Sequence, residues 1–122
     1  MIELEEVRKR LDNWLAHFIP RVCGKYHIKY QVIATPDSHI TFRVTAKSSD
    51  GMTACDMTTL QMSDDMRQRL DEDMEWQGAM FAAVLDEVTD MLLNVMSELR
   101  STEQNLDLYK KENRNDEYRE TE

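Results

Sequence analysis

Three histidines, two cysteines and a run of carboxylates are the side chains of this 122-residue chain best suited to chemistry. Cys23 and His27 are spaced as C-x3-H, which resembles half of a metal site. A structural zinc site takes four ligands, and no second pair stands at a matching spacing. His17 and His39 fall on other segments, so no metal is expected. Asp71, Glu72, Asp73 and Glu75 gather four carboxylates in five positions, the raw material of acid–base catalysis. Nothing around them builds a cleft, and a solvated helix face is the expectation. Gly24, Gly51 and Gly78 stand apart, which rules out a glycine-rich phosphate loop. The chain is therefore expected to be non-enzymatic, with no cofactor and no metal.

Charge says more. The net charge is −9, and it is unevenly placed. Residues 1–62 carry 8 basic and 7 acidic side chains, a balance of +1. Residues 63–103 carry 3 basic and 11 acidic, a balance of −8, and residues 104–122 carry 4 and 6, a balance of −2. Direct nucleic-acid binding is disfavoured, since affinity for phosphate comes mainly from cations. Anionic membrane surfaces are disfavoured for the same reason. A basic protein surface is the partner this charge allows. The opening MIELEEVRKR has no apolar core of a secretory signal, and no apolar run approaches a membrane span. Two cysteines are too few for a disulfide framework, so a reducing, cytoplasmic setting is expected.

The elements that must position these groups follow from periodicity. Leu4, Val7, Leu11, Trp14, Leu15 and Phe18 recur at helical spacing, which predicts a helix over 3–18 stopped by Pro20. Residues 21–25 read as a connector. Ile28, Tyr30, Val32 and Ala34 alternate along a strand at 26–34, and Ile40, Phe42, Val44 and Ala46 along a second at 39–47. A three-residue loop, Pro36-Asp37-Ser38, sets both apolar faces on one side, with Ala34 opposite Ile40 and Val32 opposite Phe42. A two-residue loop would slip the register by one and is rejected. Asp50-Gly51 reads as a type I′ turn into a third strand, 52–60. That register pairs Ala46 with Cys55 and Val44 with Met57. It places Cys55 inside as an inert small hydrophobe and Asp56 outside.

Ser63 followed by two acids opens a second helical region, by capping and by the helix dipole. Leu70, Met74, Phe81, Val84, Val88, Met91, Leu92, Val95 and Leu99 fall on one stripe of it. Gly78 is the expected break in this run, if it breaks. Residues 1–109 thus read as a single α+β domain in the order α-β-β-β-α: an N-terminal helix, a three-stranded antiparallel meander and a long C-terminal helical region. Residues 110–122 read as a frayed or disordered charged tail. The order is similar to that of double-stranded-RNA-binding domains, but those carry lysines where this chain has Asp64 and Asp65, so only the geometry is shared. Small acidic secretion chaperones are similar in size, charge and mixed α/β character.

A continuous helix over 63–109 would be roughly 70 Å long, and a nine-residue strand covers about 20 helical residues. On that count the sheet is too short for the stripe. Self-association as a homodimer through Phe81, Val88, Met91, Leu92, Val95 and Leu99 is the expected remedy. Eight of the nine methionines lie between 52 and 96, and such side chains adapt to varied partners. Asp86, Glu87 and Asp90, with Trp76 and Leu93 off the main stripe, are the expected partner-binding residues. The function expected is a small acidic protein-binding module, an adaptor, chaperone or inhibitor acting through an acidic, Met-rich helix. The alternative is a nucleic-acid mimic that blocks a DNA- or RNA-binding protein, as phage-type inhibitors do.

Overall fold

A computed structural model describes the backbone of residues 2–120 and the side chains of residues 2–112. Its elements are α1 (Leu4–Leu15), β1 (Val22–Cys23), β2 (Tyr26–Ala34), β3 (His39–Lys47), β4 (Thr53–Gln61), α2 (Asp64–Glu72) and α3 (Met74–Glu120). The chain is α+β. The four strands form one antiparallel meander in the order β1-β2-β3-β4, and α3 packs along β3 and β4. The expected charged tail at 110–122 falls largely on residues whose side chains lie outside the described ones; the α3 backbone runs to Glu120.

The meander has a fourth strand that the connector hid. Gly24, at φ +59°, permits a two-residue turn, so Val22–Cys23 folds back on Tyr26 and His27. The β2–β3 hairpin has the register its alternation predicts, with Ala34 opposite Ile40, Val32 opposite Phe42 and Tyr30 opposite Val44. Ser38 closes its three-residue loop at φ 64°.

The β3–β4 hairpin differs from expectation by one residue. Ser48 N–H donates to the Met52 carbonyl at 2.8 Å, which leaves a three-residue loop, Ser49-Asp50-Gly51. Gly51 takes the left-handed position at φ +87°, the same third place that Ser38 holds in the first hairpin. Ala46 therefore faces Ala54, and Val44 faces Asp56. The slip turns the whole strand over. Cys55 and Met57, expected inside, are exposed, and Asp56 lies on the inward face.

One face of the sheet is the core wall. Ile28, Val32, Ile40, Phe42, Val44 and Ala46 are buried there under α1 and α3. The helix α1 ends at Leu15, three residues early, so Phe18 leaves the expected stripe and is exposed. Its ring still stacks on Trp14 at 4.8 Å.

The helical region does break, but at Asp73 and not at Gly78. Asp73 adopts an extended conformation at φ −121°, ψ 101°, and its carboxylate accepts the Trp76 N–H at 3.1 Å. Asp is a poor interior residue and a strong N-cap, so it ends α2 and starts α3 in one step. Ser63 caps α2 by accepting the Met66 N–H, as its position predicts. Gly78 lies inside α3 on an open side of the helix.

This break removes the reason for a self-association seam. Because α2 turns off the axis, α3 sets Met80 to Leu99 over the sheet, twenty residues spanning about 30 Å, the length of a nine-residue strand. Phe81, Val88, Met91, Leu92, Val95 and Leu99 are all buried within one copy of the chain. They are core residues. The overhang falls past Glu103 instead, where Leu106, Leu108 and Tyr109 are exposed.

Candidate functional site

The residues that suggested metal chemistry do not converge. Cys23 pairs with Tyr26 and so shares the inward face, while His27 pairs with Val22 and points to the open face. His17 is exposed beyond α1, and His39 Nδ1 lies 3.1 Å from Asp37 at the β2–β3 turn. Among the described residues no cluster of three His, Cys, Asp or Glu side chains could hold a metal ion. Asp71, Glu72, Asp73 and Glu75 straddle the α2–α3 break and are all exposed. Among the described residues no helix is long and apolar enough to cross a membrane.

Two of the expected partner-binding acids do share a surface. Asp86 and Asp90 are one helical turn apart on α3, and Leu93, exposed to 52%, extends the same outward row. Glu87 lies a quarter turn round, toward β4, at the rim of a cleft. Trp76 is half-buried against the core, so its ring is not the free anchor expected of it. The methionines are mostly core filler as well. Met62, Met80, Met91 and Met96 are buried, and only Met57 and Met74 among the eight are well exposed.

The electrostatic setting of the acids differs from place to place. On α1, Glu5 is bound to Arg8 at 2.7 Å and Glu6 to Arg10 at 3.4 Å. The Arg8 hydrogen bond holds the Glu5 carboxyl below its usual range and raises Arg8 in turn. Asp64 pairs with Arg67, and Glu103 with Lys25 across the fold. Asp86, Glu87 and Asp90 have no ion pair and no side-chain hydrogen bond among the described residues. Behind them Val84, Val88 and Met91 are buried, so the charges ride on a firmly seated helix.

The cations have a pattern that composition concealed. In β2, β3 and β4 the alternate positions that point away from the helices include His27, Lys29, His39, Arg43 and Lys47, and no Asp or Glu. Cross-strand contacts confirm the shared face: Thr41 and Thr59 hydroxyls are 3.2 Å apart, and Arg43 Nε reaches Cys55 Sγ at 3.2 Å. No Phe, Tyr or Trp stands on this face, so it lacks the large stacking platform that base-binding sheets present. A balance of +1 for residues 1–62 conceals this separation, since the acids of that segment lie on α1, in turns and at Asp56.

The third feature is the free edge of β4. The alternation of ladder bonds puts Ala54, Asp56, Thr58 and Leu60 in bonding contact with β3. The N–H and C=O groups of Thr53, Cys55, Met57, Thr59 and Gln61 then point outward. Beside this edge, between β4 and α3, lies a cleft of about 350 Å³ lined by Phe42, Thr58, Leu60, Met80, Val84 and Glu87. Periodicity does not reveal it, because neither set of alternate residues of β4 is clearly the apolar one. Comparison with known proteins finds no matching family model, no matching curated protein and no matching solved structure.

Proposed function

We propose that the protein is a non-catalytic protein-binding module whose α3 presents Asp86, Glu87 and Asp90 to a basic partner surface. The observation that carries this reading is the contrast among its acids. Those on α1, at Asp64 and at Glu103 are matched by arginine or lysine within the chain. Asp86, Glu87 and Asp90 are among the α3 acids left unmatched, on a helix whose opposite side is buried core. An exposed, fixed row of like charge does little for folding and raises the encounter rate with a surface of opposite sign.

The test is capture from the native host at low salt. Wild-type protein and a variant carrying Asp86→Asn, Glu87→Gln and Asp90→Asn are immobilised side by side. A specific partner is retained by the wild type, released by salt and lost on the variant. If the two baits retain the same proteins, the acidic face is only a solvated surface. A nucleic-acid mimic is the second reading, favoured by the axial repeat of Asp86 and Asp90 at about 6 Å along the helix. It is distinguished by a partner that duplex DNA displaces.

A further inference from the structure

The free edge of β4 and the cleft beside it form one continuous feature, and we infer that it is a docking site for an extended, basic-apolar segment of a partner protein, added as a fifth strand. This inference rests on the reading above and names the mode of binding.

The edge is suited to strand addition. Nine residues at about 3.3 Å each give a straight margin near 30 Å. Its outward N–H and C=O groups come from five residues, Thr53 to Gln61 at every second place. An unpaired edge of this length is normally blunted by charge, proline or a covering element. This strand has no proline, and its one charge is Asp56. The Asp56 carboxylate accepts the Met57 N–H at 2.9 Å, so it closes the middle of the edge with a single replaceable bond.

The cleft fixes what the incoming strand carries. A strand paired to β4 sends alternate side chains toward α3. There they meet an apolar floor of Phe42, Leu60, Met80 and Val84 with Glu87 at the rim. Asp56 faces the same side two positions along β4. Two acids and no base border the cleft, so the complementary segment has an aliphatic residue flanked at i±2 by lysine or arginine. When its carbonyl takes the Met57 N–H, the Asp56 carboxylate is released to meet the flanking cation. Asp86 and Asp90 lie one helix face further out and extend the same negative field.

The probe is a capped heptapeptide with threonine at its odd positions and Lys, Leu and Lys at the even ones. Its controls are two versions of the same peptide, methylated at the backbone N–H groups of the odd or of the even residues, which keep every side chain and charge and each block strand pairing along one edge. Binding is followed on full-length, isotope-labelled protein by amide shifts and hydrogen exchange. Slowed exchange is expected at Cys55, Met57 and Thr59, with at least a tenfold weaker affinity for the peptide methylated on its pairing edge. Thr59→Pro, which removes an outward N–H and leaves the β3 ladder bonds intact, should weaken the unmethylated peptide similarly. Equal binding of the unmethylated peptide and both methylated ones, abolished by Asp86→Asn with Asp90→Asn, overturns strand addition and leaves the acidic-face reading standing. Absence of any change at the β4 amides overturns the edge site, whatever the capture experiment finds. Slowed exchange at the same amides that appears with protein concentration alone, without peptide, makes a second copy the occupant and also overturns it.

Discussion

Asp56 stands opposite Val44 on the inward face of the sheet, and its carboxylate turns to the free edge to hold the Met57 N–H. A charged side chain in that place weakens the inner packing and guards the edge at once. Asp56→Val is therefore expected to raise the unfolding free energy by about 1 kcal/mol, within the range of strand preferences, while exposing an unguarded edge. Denaturant unfolding measures the first effect. Sedimentation velocity measures the second, as association at concentrations where the wild type shows none. A variant that is no more stable and no more associative would mean that Asp56 serves neither purpose.

Gly78 and Gly51 should respond to an added methyl group with opposite signs. At Gly78, inside α3, an added Cβ meets no atom within 4 Å, so Gly78→Ala gains helix preference and is expected to stabilise by about 0.5–1 kcal/mol. Gly51 has equal space around it but sits at φ +87°, where a Cβ is strained. Gly51→Ala should cost about 1 kcal/mol. Urea midpoints at constant slope compare the two. A loss of stability at Gly78 would put the helix break back at that residue.

Val88 and Val95 are each 1% exposed within a single chain. Truncating either to alanine opens a cavity in the core and should cost about 2 kcal/mol, taken between the ranges for smaller and larger aliphatic deletions. Because no second copy is needed to bury them, the loss should be the same at 5-fold and 50-fold dilution, measured by denaturant unfolding. A loss that shrinks with rising protein concentration would restore these valines to a subunit interface.

Lys25 pairs with Glu103 across seventy-eight residues of sequence and ties the β1–β2 turn to α3. Its hydrogen bond to Glu103 raises the lysine above its ordinary value, against a smaller opposing effect of burial. A group raised in the folded state stabilises fully below its unfolded pKa, about 10.4, and the contribution fades as pH climbs through the raised value. The stability difference between wild type and Glu103→Gln should thus be constant from pH 7 to 9 and shrink above about pH 10.5. Both side chains reach solvent, so the difference is small, and amide exchange across residues 100–110 reports it best. A difference that grows at high pH would contradict the assignment.

The legible parts of the fold were those with one strongly apolar face. Ile28 to Ala34 and Ile40 to Ala46 admit one register, and the β2–β3 hairpin follows it. The strand β4 has no such face: Ala54, Asp56, Thr58 and Leu60 alternate with Cys55, Met57 and Thr59, and either set could be called the more apolar. Its register was then left to Asp50-Gly51, a dipeptide that serves a two-residue turn and the last two places of a three-residue loop equally well. The break falls at Asp73 and not at Gly78 because a single glycine only weakens a helix, whereas an aspartate in extended conformation caps the next one. A helix continuous over 63–109 leaves part of the stripe uncovered, and the expected self-association rests on that continuity. The acidic row of α3 was legible from its spacing. The cleft and the acid-free sheet face were not, since both depend on which way β4 turns and on where the first sixty residues put their cations.

The proposed role of Asp86, Glu87 and Asp90 is the recruitment of a basic partner. Its most direct measurement is the association rate of the captured partner, purified, against wild type and against the Asp86→Asn, Glu87→Gln, Asp90→Asn variant at rising salt. The screening length shortens from about 10 Å at 0.1 M to about 3 Å at 1 M, so a steered encounter must slow. The wild-type rate should fall steeply with salt, the variant should start lower and fall less, and the dissociation rate should change little with salt. A variant that associates at the wild-type rate at low salt would contradict that role.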